Sequence, residues 1–403
     1  MPKVLRIVNR LSVGGPTYNV SYLTKYLAPE YETILVSGTP EKTEIKSNFI
    51  YEKIGVDPLF FNSIRKSILV PWYDVIAYFQ LRKLIKTFKP DIVHTHASKA
   101  GLLGRLVAYH CKVPVIIHTY HGTHFKGYFN KHLTNLIYNI EKYLCGISSA
   151  AIAISPQQYD ELADTLLPKE KLYLVPLGFD LSRFSDNYAE KRAAFRNEFG
   201  LDEDTLAIGV VGRLVPIKNH ALFFKGLKSV LENTTKKVRA FIVGDGELRA
   251  PLEALCKELG IGYTIQSDIV HDQPVVFTSW RTDIEKINAG VDIVALTSDN
   301  EGTPVSIIEA LAASKPVVVS RVGGVEYIVA DGETGLIFEA GDVNGFSSRL
   351  LNIIENDTLR HTMGAKASHD ISRKFGVDRL VNDVALMYAE LLQKAPQKKG
   401  SRV

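Results

Sequence analysis

Glu301 and Glu309 stand with seven residues between them in the run Asp299-Asn300-Glu301-Gly302-Thr303-Pro304-Val305-Ser306-Ile307-Ile308-Glu309. The apolar stretch Val291–Leu296 before them reads as a buried parallel strand. Thr303-Pro304 reads as an N-cap followed by proline at the first helical position. The spacing therefore predicts Glu301 at a strand's C-terminal end and Glu309 about one and a half turns into the next helix. The free N–H groups of Gly302, Thr303 and the helix start attract phosphate, and the flanking carboxylates accept hydrogen bonds from hydroxyls. Phosphate in the middle and hydroxyls at both ends describe a nucleotide sugar. A surface loop acid and a solvated helix residue would leave the same two letters.

Cations that could serve such a ligand follow another strand. Arg213 and Lys218, in Gly212-Arg213-Leu214-Val215-Pro216-Ile217-Lys218-Asn219, come just after the predicted strand Ala207–Val211. Two fixed cations at a strand end can stabilise a departing diphosphate without reorganisation. Gly14-Gly15-Pro16 opens a helical pattern after the first strand and lets backbone approach a ligand; a tight turn would use the same glycines. Gly244 and Gly246 flank Asp245, but Glu247-Leu248-Arg249 follows, so the dinucleotide fingerprint is incomplete. Trp280 and Arg281, ending another strand, are candidates for a nucleobase wall. Gly323-Gly324 reads as a turn serving the next helix.

The first half carries His118-Thr119-Tyr120-His121-Gly122-Thr123-His124 and His94-Thr95-His96. The i, i+2 spacing puts His94 and His96 on one face of a strand. Both groups suit packing or hydrogen bonding better than a metal, since no carboxylate stands beside them to complete a ligand set.

These motifs, with Arg321-Val322-Gly323-Gly324 and Asp331-Gly332-Glu333-Thr334-Gly335-Leu336 in the same order, resemble the retaining glycosyltransferases of family 4. The resemblance spans nearly the whole chain and is stronger in its second half. It implies an α/β GT-B fold: two facing, doubly wound Rossmann-like domains with a deep cleft and a C-terminal helix crossing back to the first domain. It implies Arg213, Lys218, Glu301 and His121 as the catalytic set. Gly14, Gly15, Gly302, Thr303, Glu309, Gly244, Trp280 and Arg281 would bind the donor, with Glu309 accepting from ribose hydroxyls and His121 facing the sugar. No metal is required in such enzymes. The implied reaction moves a sugar from a nucleoside-diphosphate donor, a UDP-sugar favoured, to a glycan or lipid-linked acceptor in bacterial surface polysaccharide synthesis. A nucleotide-sugar 2-epimerase or hydrolase, and a non-catalytic nucleotide-sugar-binding subunit, are the competing readings. One departure is Pro176-Leu177-Gly178-Phe179-Asp180, where the family has asparagine in place of Leu177.

Composition sets the frame. At 403 residues, two domains are the default. Alternating strand and helix patterns predict a parallel α/β architecture throughout. The expected boundaries are 1–178 for an acceptor-side domain, 185–375 for a nucleotide-sugar domain and 376–393 for the returning helix. The expected strands are Val4–Asn9, Thr33–Gly38, Ile92–Thr95, Val113–Thr119, Ala151–Ile154 and Lys171–Pro176 in the first half. Ala207–Val211, Arg239–Val243, Val275–Thr278, Ile293–Thr297, Pro316–Ser320 and Gly335–Phe338 follow in the second. Without a long apolar segment or signal-peptide pattern the chain reads as cytoplasmic. Cys111, Cys145 and Cys256 lack CxxC spacing and read as reduced.

Net charge is +4, but residues 1–180 hold 21 Lys and Arg against 14 Asp and Glu. No nucleic-acid motif accompanies this excess. Arg65-Lys66 and Arg82-Lys83 with Lys86 and Lys89 form either a solvated surface or a peripheral docking site for anionic membrane.

Overall fold

The computed structural model describes residues 1–12, 14–39, 47–65, 71–122, 131–265 and 273–395. The chain divides into two compact units, Met1–Phe179 with Phe375–Val403, and Asp180–Lys374. In the first, strands β1 (Lys3–Val8), β2 (Glu32–Gly38), β3 (Leu59–Phe61), β4 (Ile92–His96), β5 (Val115–Tyr120), β6 (Ala150–Ala153) and β7 (Leu172–Leu174) form one sheet. Its helices are α1 (Gly15–Tyr26), α2 (Asn48–Ile54), α3 (Pro71–Phe88), α4 (Ser98–His110), α5 (Lys131–Gly146) and α6 (Pro156–Thr165). The second has β8 (Leu206–Val211), β9 (Val238–Val243), β10 (Tyr263–Ile265), β11 (Val275–Ser279), β12 (Ile293–Leu296), β13 (Val317–Ser320) and β14 (Gly335–Phe338). Its helices are α7 (Tyr188–Glu198), α8 (His220–Asn233), α9 (Arg249–Glu258), α10 (Ile284–Gly290), α11 (Val305–Ala312), α12 (Val325–Ile328), α13 (Val343–Glu355) and α14 (Asp357–Phe375). The last helix, α15 (Val377–Lys394), packs on the first unit.

Both sheets are parallel, ordered β3-β2-β1-β4-β5-β6-β7 and β10-β11-β9-β8-β12-β13-β14. The central strands are almost wholly buried because helices cover both faces, even where they carry polar residues, as β4 does. In β1 the alternation is explicit: Val4 joins the core under α1 and α15, whereas Leu5 and Ile7 join the core under α3 and α4. The strand order reverses at β1/β4 in the first sheet and at β8/β12 in the second. Loops leaving such a pair diverge and open a crevice at the strands' C-terminal ends, the place where this architecture takes ligands.

Two strands go beyond the expected set, β3 and β10, each three residues long and each at a sheet edge. Short edge strands bury little, so they leave a weak apolar signature. The start of α11 differs from expectation by one residue. Pro304 is itself the cap, with φ −69° and ψ 103°, and Val305 opens the helix. Thr303 makes no capping hydrogen bond, because it lies outside the first turn. Leu177 is buried and its carbonyl accepts from Arg379 of α15 at 2.7 Å, so the linker position holds helix and sheet together. No described helix is long and apolar enough to cross a membrane.

Candidate active site

In the second unit, the loops leaving β8 and β12 meet across the strand-order reversal. The β8 loop makes a short 3-10 turn, Pro216–Lys218, and Asn219 adopts a left-handed conformation to cap α8, accepting from the Leu222 N–H. That kink puts Lys218 against the β12 loop, where its Nζ donates to Glu301 Oε1 at 2.6 Å. Ser298 Oγ donates to the same oxygen at 2.6 Å. The loops are also stitched by backbone, Asp299 N–H to the Ile217 carbonyl at 2.9 Å, and by Asn219 Nδ2 to Asp299 Oδ1 at 2.9 Å. Gly302 and Thr303 then lead to α11, whose first amides, Val305 and Ser306, have no intrahelical acceptor. Arg213 is exposed and makes no ion pair among the described residues.

Glycine pairs lock the neighbouring loops. Gly323 has φ +49°, and a Cβ there would lie 1.7 Å from the Glu301 carbonyl oxygen; at Gly324 it would lie 2.2 Å from the Gly302 oxygen. The Gly324 N–H donates to that Gly302 carbonyl at 3.1 Å. The turn reading of Gly323-Gly324 is thus incomplete: these glycines carry the β12 loop directly. On the other side Gly244, with φ +140°, fits only because it has no Cβ to meet the Gly212 carbonyl at 1.9 Å. Trp280 is exposed beside it, since Ser279 accepts from the Gly244 N–H. Arg281 turns to carboxylates: its guanidinium donates to Asp283 at 2.6 Å and to Glu198 at 3.2 Å.

Glu309 lies buried in α11, and its partner is one the sequence did not indicate. Arg183 Nη2 donates to Glu309 Oε1 at 2.7 Å, and Glu285 lies 3.8 Å from the same guanidinium. Burial pushes the Glu309 carboxyl up to about 7, with Arg183 opposing the rise. Arg183 sits in the short turn Ser182–Phe184, 126 positions away in sequence, a distance at which no spacing rule could connect the two.

In the first unit, Gly14 takes φ 151° and its carbonyl receives the Thr17 N–H, opening α1 with Gly15 buried. At the other side of the reversal Ala97 is held at φ 65° between β4 and α4, a strained conformation for a residue with a Cβ. His94 and His96 face one side of β4, and their rings stack at 4.3 Å. His96 Nδ1 lies 3.0 Å from His121 Nε2. Burial pushes the His121 imidazole down to about 4, so it is neutral near pH 7. Under the stack, Arg6 Nη1 and the Tyr388 hydroxyl both approach His94 Nδ1, at 3.1 and 2.6 Å. A guanidinium can only donate, so His94 carries its proton on Nε2 and gives it to Thr119 Oγ1 at 2.7 Å. His118 is a packing histidine, bonded to Thr95 on the opposite face of the sheet. His124 and Lys66 lie outside the described residues. Among the described residues no group of three or more His, Cys, Asp or Glu side chains could hold a metal ion.

Two family models match the chain, Glycosyltransferase Family 4 over residues 13–183 and Glycosyl transferases group 1 over residues 191–370. The chain belongs to glycosyltransferase family 4. The Escherichia coli UDP-Gal:alpha-D-GlcNAc-diphosphoundecaprenol alpha-1,3-galactosyltransferase is 29% identical over 323 residues, 79% of this chain and 80% of that protein. The Staphylococcus aureus capsular polysaccharide biosynthesis glycosyltransferase CapM is 25% identical over 340 residues, 81% of this chain and 85% of its own. Among solved structures, Anabaena HepE in complex with UDP superposes with a TM-score of 0.78 at 19% identity, covering 96% of this chain and 100% of that one. WaaG, a glycosyltransferase of lipopolysaccharide biosynthesis, gives 0.69 at 16% identity, covering 96% and 99%. These likenesses establish the GT-B fold for this family 4 chain.

Proposed function

We propose that this family 4 glycosyltransferase transfers a sugar, with retention of anomeric configuration, from a UDP-sugar to a lipid-linked or glycan acceptor in surface polysaccharide assembly. The observation carrying this reading is the meeting of Lys218 and Glu301 at the β8/β12 reversal, beside the free amides of α11. In this reading the diphosphate lies on those amides with Arg213 and Lys218 beside it. Glu309, held by Arg183, takes the ribose hydroxyls, and Glu301 takes a sugar hydroxyl. As the C1–O bond to phosphate breaks, the cations and amides receive the growing charge. The acceptor oxygen bonds to C1 from the same face and its proton passes to the departing phosphate. The same cations make a bound metal unnecessary. Neutral His121 is assigned a hydrogen bond to a sugar hydroxyl. The UDP-galactose donor and diphosphoundecaprenol-linked acceptor named for the E. coli relative, and the UDP bound to HepE, support the donor and acceptor classes. A lipid-linked acceptor would hold the enzyme at the membrane surface.

The test is a thermal-shift panel of nucleoside diphosphates and their sugars in EDTA, on wild type and Lys218→Ala. Ligand at a hundred times Kd adds about 2.7 kcal/mol of stability. UDP should stabilise wild type and not the variant. No stabilisation by any nucleoside diphosphate at millimolar concentration would sink the donor assignment. Release of free sugar with every acceptor offered would favour a hydrolase.

A further inference from the structure

Two ring nitrogens in the first unit's histidine stack have no role in the fold's own hydrogen bonding. His96 closes β4, and His121 follows β5 directly. The parallel register sets His96 beside Thr119, so His121, two residues further on, lies on the same face of the sheet and one step closer to the loops. The two rings lie 5.3 Å apart with 26° between their planes, and His94 also stacks on His96 at 4.3 Å. One polar contact joins the pair, His96 Nδ1 to His121 Nε2 at 3.0 Å. Their other nitrogens, His96 Nε2 and His121 Nδ1, are buried and have no hydrogen-bond partner among the described residues. Burial first, then the neighbouring His94 and His121 rings, hold His96 well below the ordinary imidazole range, and burial does the same to His121. Each ring is therefore neutral near pH 7, with one N–H and one lone pair.

A contact between two ring nitrogens holds a single proton, so two arrangements are open. If His121 gives the shared proton, the pair's second proton rests on His96 Nε2. If His96 gives it, the second proton rests on His121 Nδ1. His96 is 0% exposed, whereas His121 keeps part of its surface accessible just past the strand end. Folded proteins leave a buried N–H without an acceptor more rarely than they leave an acceptor short of a donor. The first arrangement strands that N–H inside the unit; the second carries it to the end of the sheet where this architecture takes ligands. We propose that His96 is a positioning residue: its Nδ1–H donates to His121 Nε2 and fixes His121 as the tautomer that offers an Nδ1–H to a substrate oxygen. This rests on the reading above in which His121 meets a sugar hydroxyl, and it sets the direction of that hydrogen bond. The sugar oxygen accepts, and its own proton stays free for a carboxylate or phosphate oxygen. An N–H can serve a hydroxyl or a phosphate oxygen alike, whereas a lone pair would repel the phosphate, so the donor tautomer is the one that suits a sugar carried on a diphosphate.

The experiment has a spectroscopic and a kinetic arm, both on the full chain. With nitrogen-15 histidine labelling, long-range proton–nitrogen spectra separate protonated from bare ring nitrogens, and the signals lost in His121→Asn assign that ring. His121 should carry its proton on Nδ1 in wild type and become a mixture of tautomers in His96→Leu. His96→Asn, whose Nδ2–H stands where Nδ1–H stood, should restore the wild-type tautomer. In transfer assays His96→Leu should lower kcat by roughly a hundredfold, as misalignment of a substrate-facing group does, while UDP-dependent thermal stabilisation is unchanged. His96→Asn should recover most of that loss. The double variant His96→Leu/His121→Ala should be no slower than His121→Ala alone, because His96 acts through His121. A wild-type proton on Nε2 overturns the proposal. So does near-wild-type kcat in His96→Leu, or a double variant slowed by the product of the two single losses. If His96→Leu does not fold, the wild-type spectrum and His96→Asn still decide. If the spectra behave as expected but no donor supports transfer, the catalytic reading falls and the tautomer assignment stands.

Discussion

Glu309→Gln isolates the electrostatics of the α11 carboxylate. Its carboxyl moves from an ordinary 4.5 to about 7 through burial. That displacement corresponds to roughly 3 kcal/mol between the two protonation states. Below 4.5 both folded and unfolded chains hold the proton, and pH does not act through this group. Between 4.5 and 7 the unfolded chain has released a proton that the fold retains, so raising pH favours unfolding. Above 7 the loss is complete. Glutamine titrates in neither state, and losing the charge on the Arg183 contact adds only a constant offset. The stability gap, variant minus wild type, should therefore widen by roughly 3 kcal/mol in the variant's favour from pH 4 to pH 8. For a unit of this size that is about 6–12 °C in melting temperature, read by scanning fluorimetry across a pH series. A gap constant within about 2 °C over that range would refute the buried-carboxylate argument. UDP binding gives a second readout. If ribose hydroxyls donate to the ionised form, wild-type affinity should fall as pH drops below 7, while the glutamine variant stays flat.

Other perturbations probe the remaining parts. Lys218→Ala should lower turnover by roughly 10²–10³, as for loss of one strong transition-state donor, measured as initial rates at saturating donor; near-wild-type turnover would remove Lys218 from the chemistry. Gly323→Ala imposes a left-handed alanine, costing about 1–2 kcal/mol before the clash with the Glu301 carbonyl is counted. It should lower both melting temperature and UDP affinity, and an unchanged protein would show that the β12 loop does not depend on that contact. Tyr388→Phe leaves the Arg6 and His94 polar groups short of a buried partner, at about 1–3 kcal/mol, visible in urea unfolding. Glu301→Gln should narrow the difference in affinity between UDP and its UDP-sugar, measured by calorimetry.

Much of this was readable in advance because the signals were local. Buried central strands such as β12, with every residue buried and apolar, announce themselves by continuous apolar runs. The β8 and β12 loops stand directly after such strands, so parallel topology alone carries Lys218 and Glu301 to the same end of the sheet, at the strands' C-termini. What stayed hidden was pairing across long separations. Arg183 and Glu309 have no common periodicity, and Tyr388 reaches His94 only because α15 returns over β1 and β4. Gly323 and Gly324 look like an ordinary turn in the sequence, which does not show what a Cβ there would strike. The misplacement of the α11 cap has a similar origin: Thr-Pro satisfies the usual preference, yet Pro304 can occupy the cap itself when ψ stays extended.

The pairing of the site's charges bears on which ligand it accepts. Lys218 and Glu301 hold each other at 2.6 Å, with side chains only 20% and 11% exposed, and Ser298 saturates the same carboxylate oxygen. A lone phosphate can draw Lys218 away only by leaving a largely buried carboxylate short of a donor. Stranding a charged group in this way costs more than an exposed ion pair returns. A diphosphate that also carries a sugar avoids that cost, because a sugar hydroxyl can replace the ammonium as donor to Glu301. Arg183 and Glu309 pose the same exchange at the other end of α11, where Arg183 donates to one carboxylate oxygen and, on the proposed reading, the second would accept from a ribose hydroxyl. Discrimination then arises from what each incomplete ligand leaves unpaired rather than from added attraction. On this logic inorganic phosphate, and nucleosides without phosphate, bind far more weakly than their separate contacts would suggest.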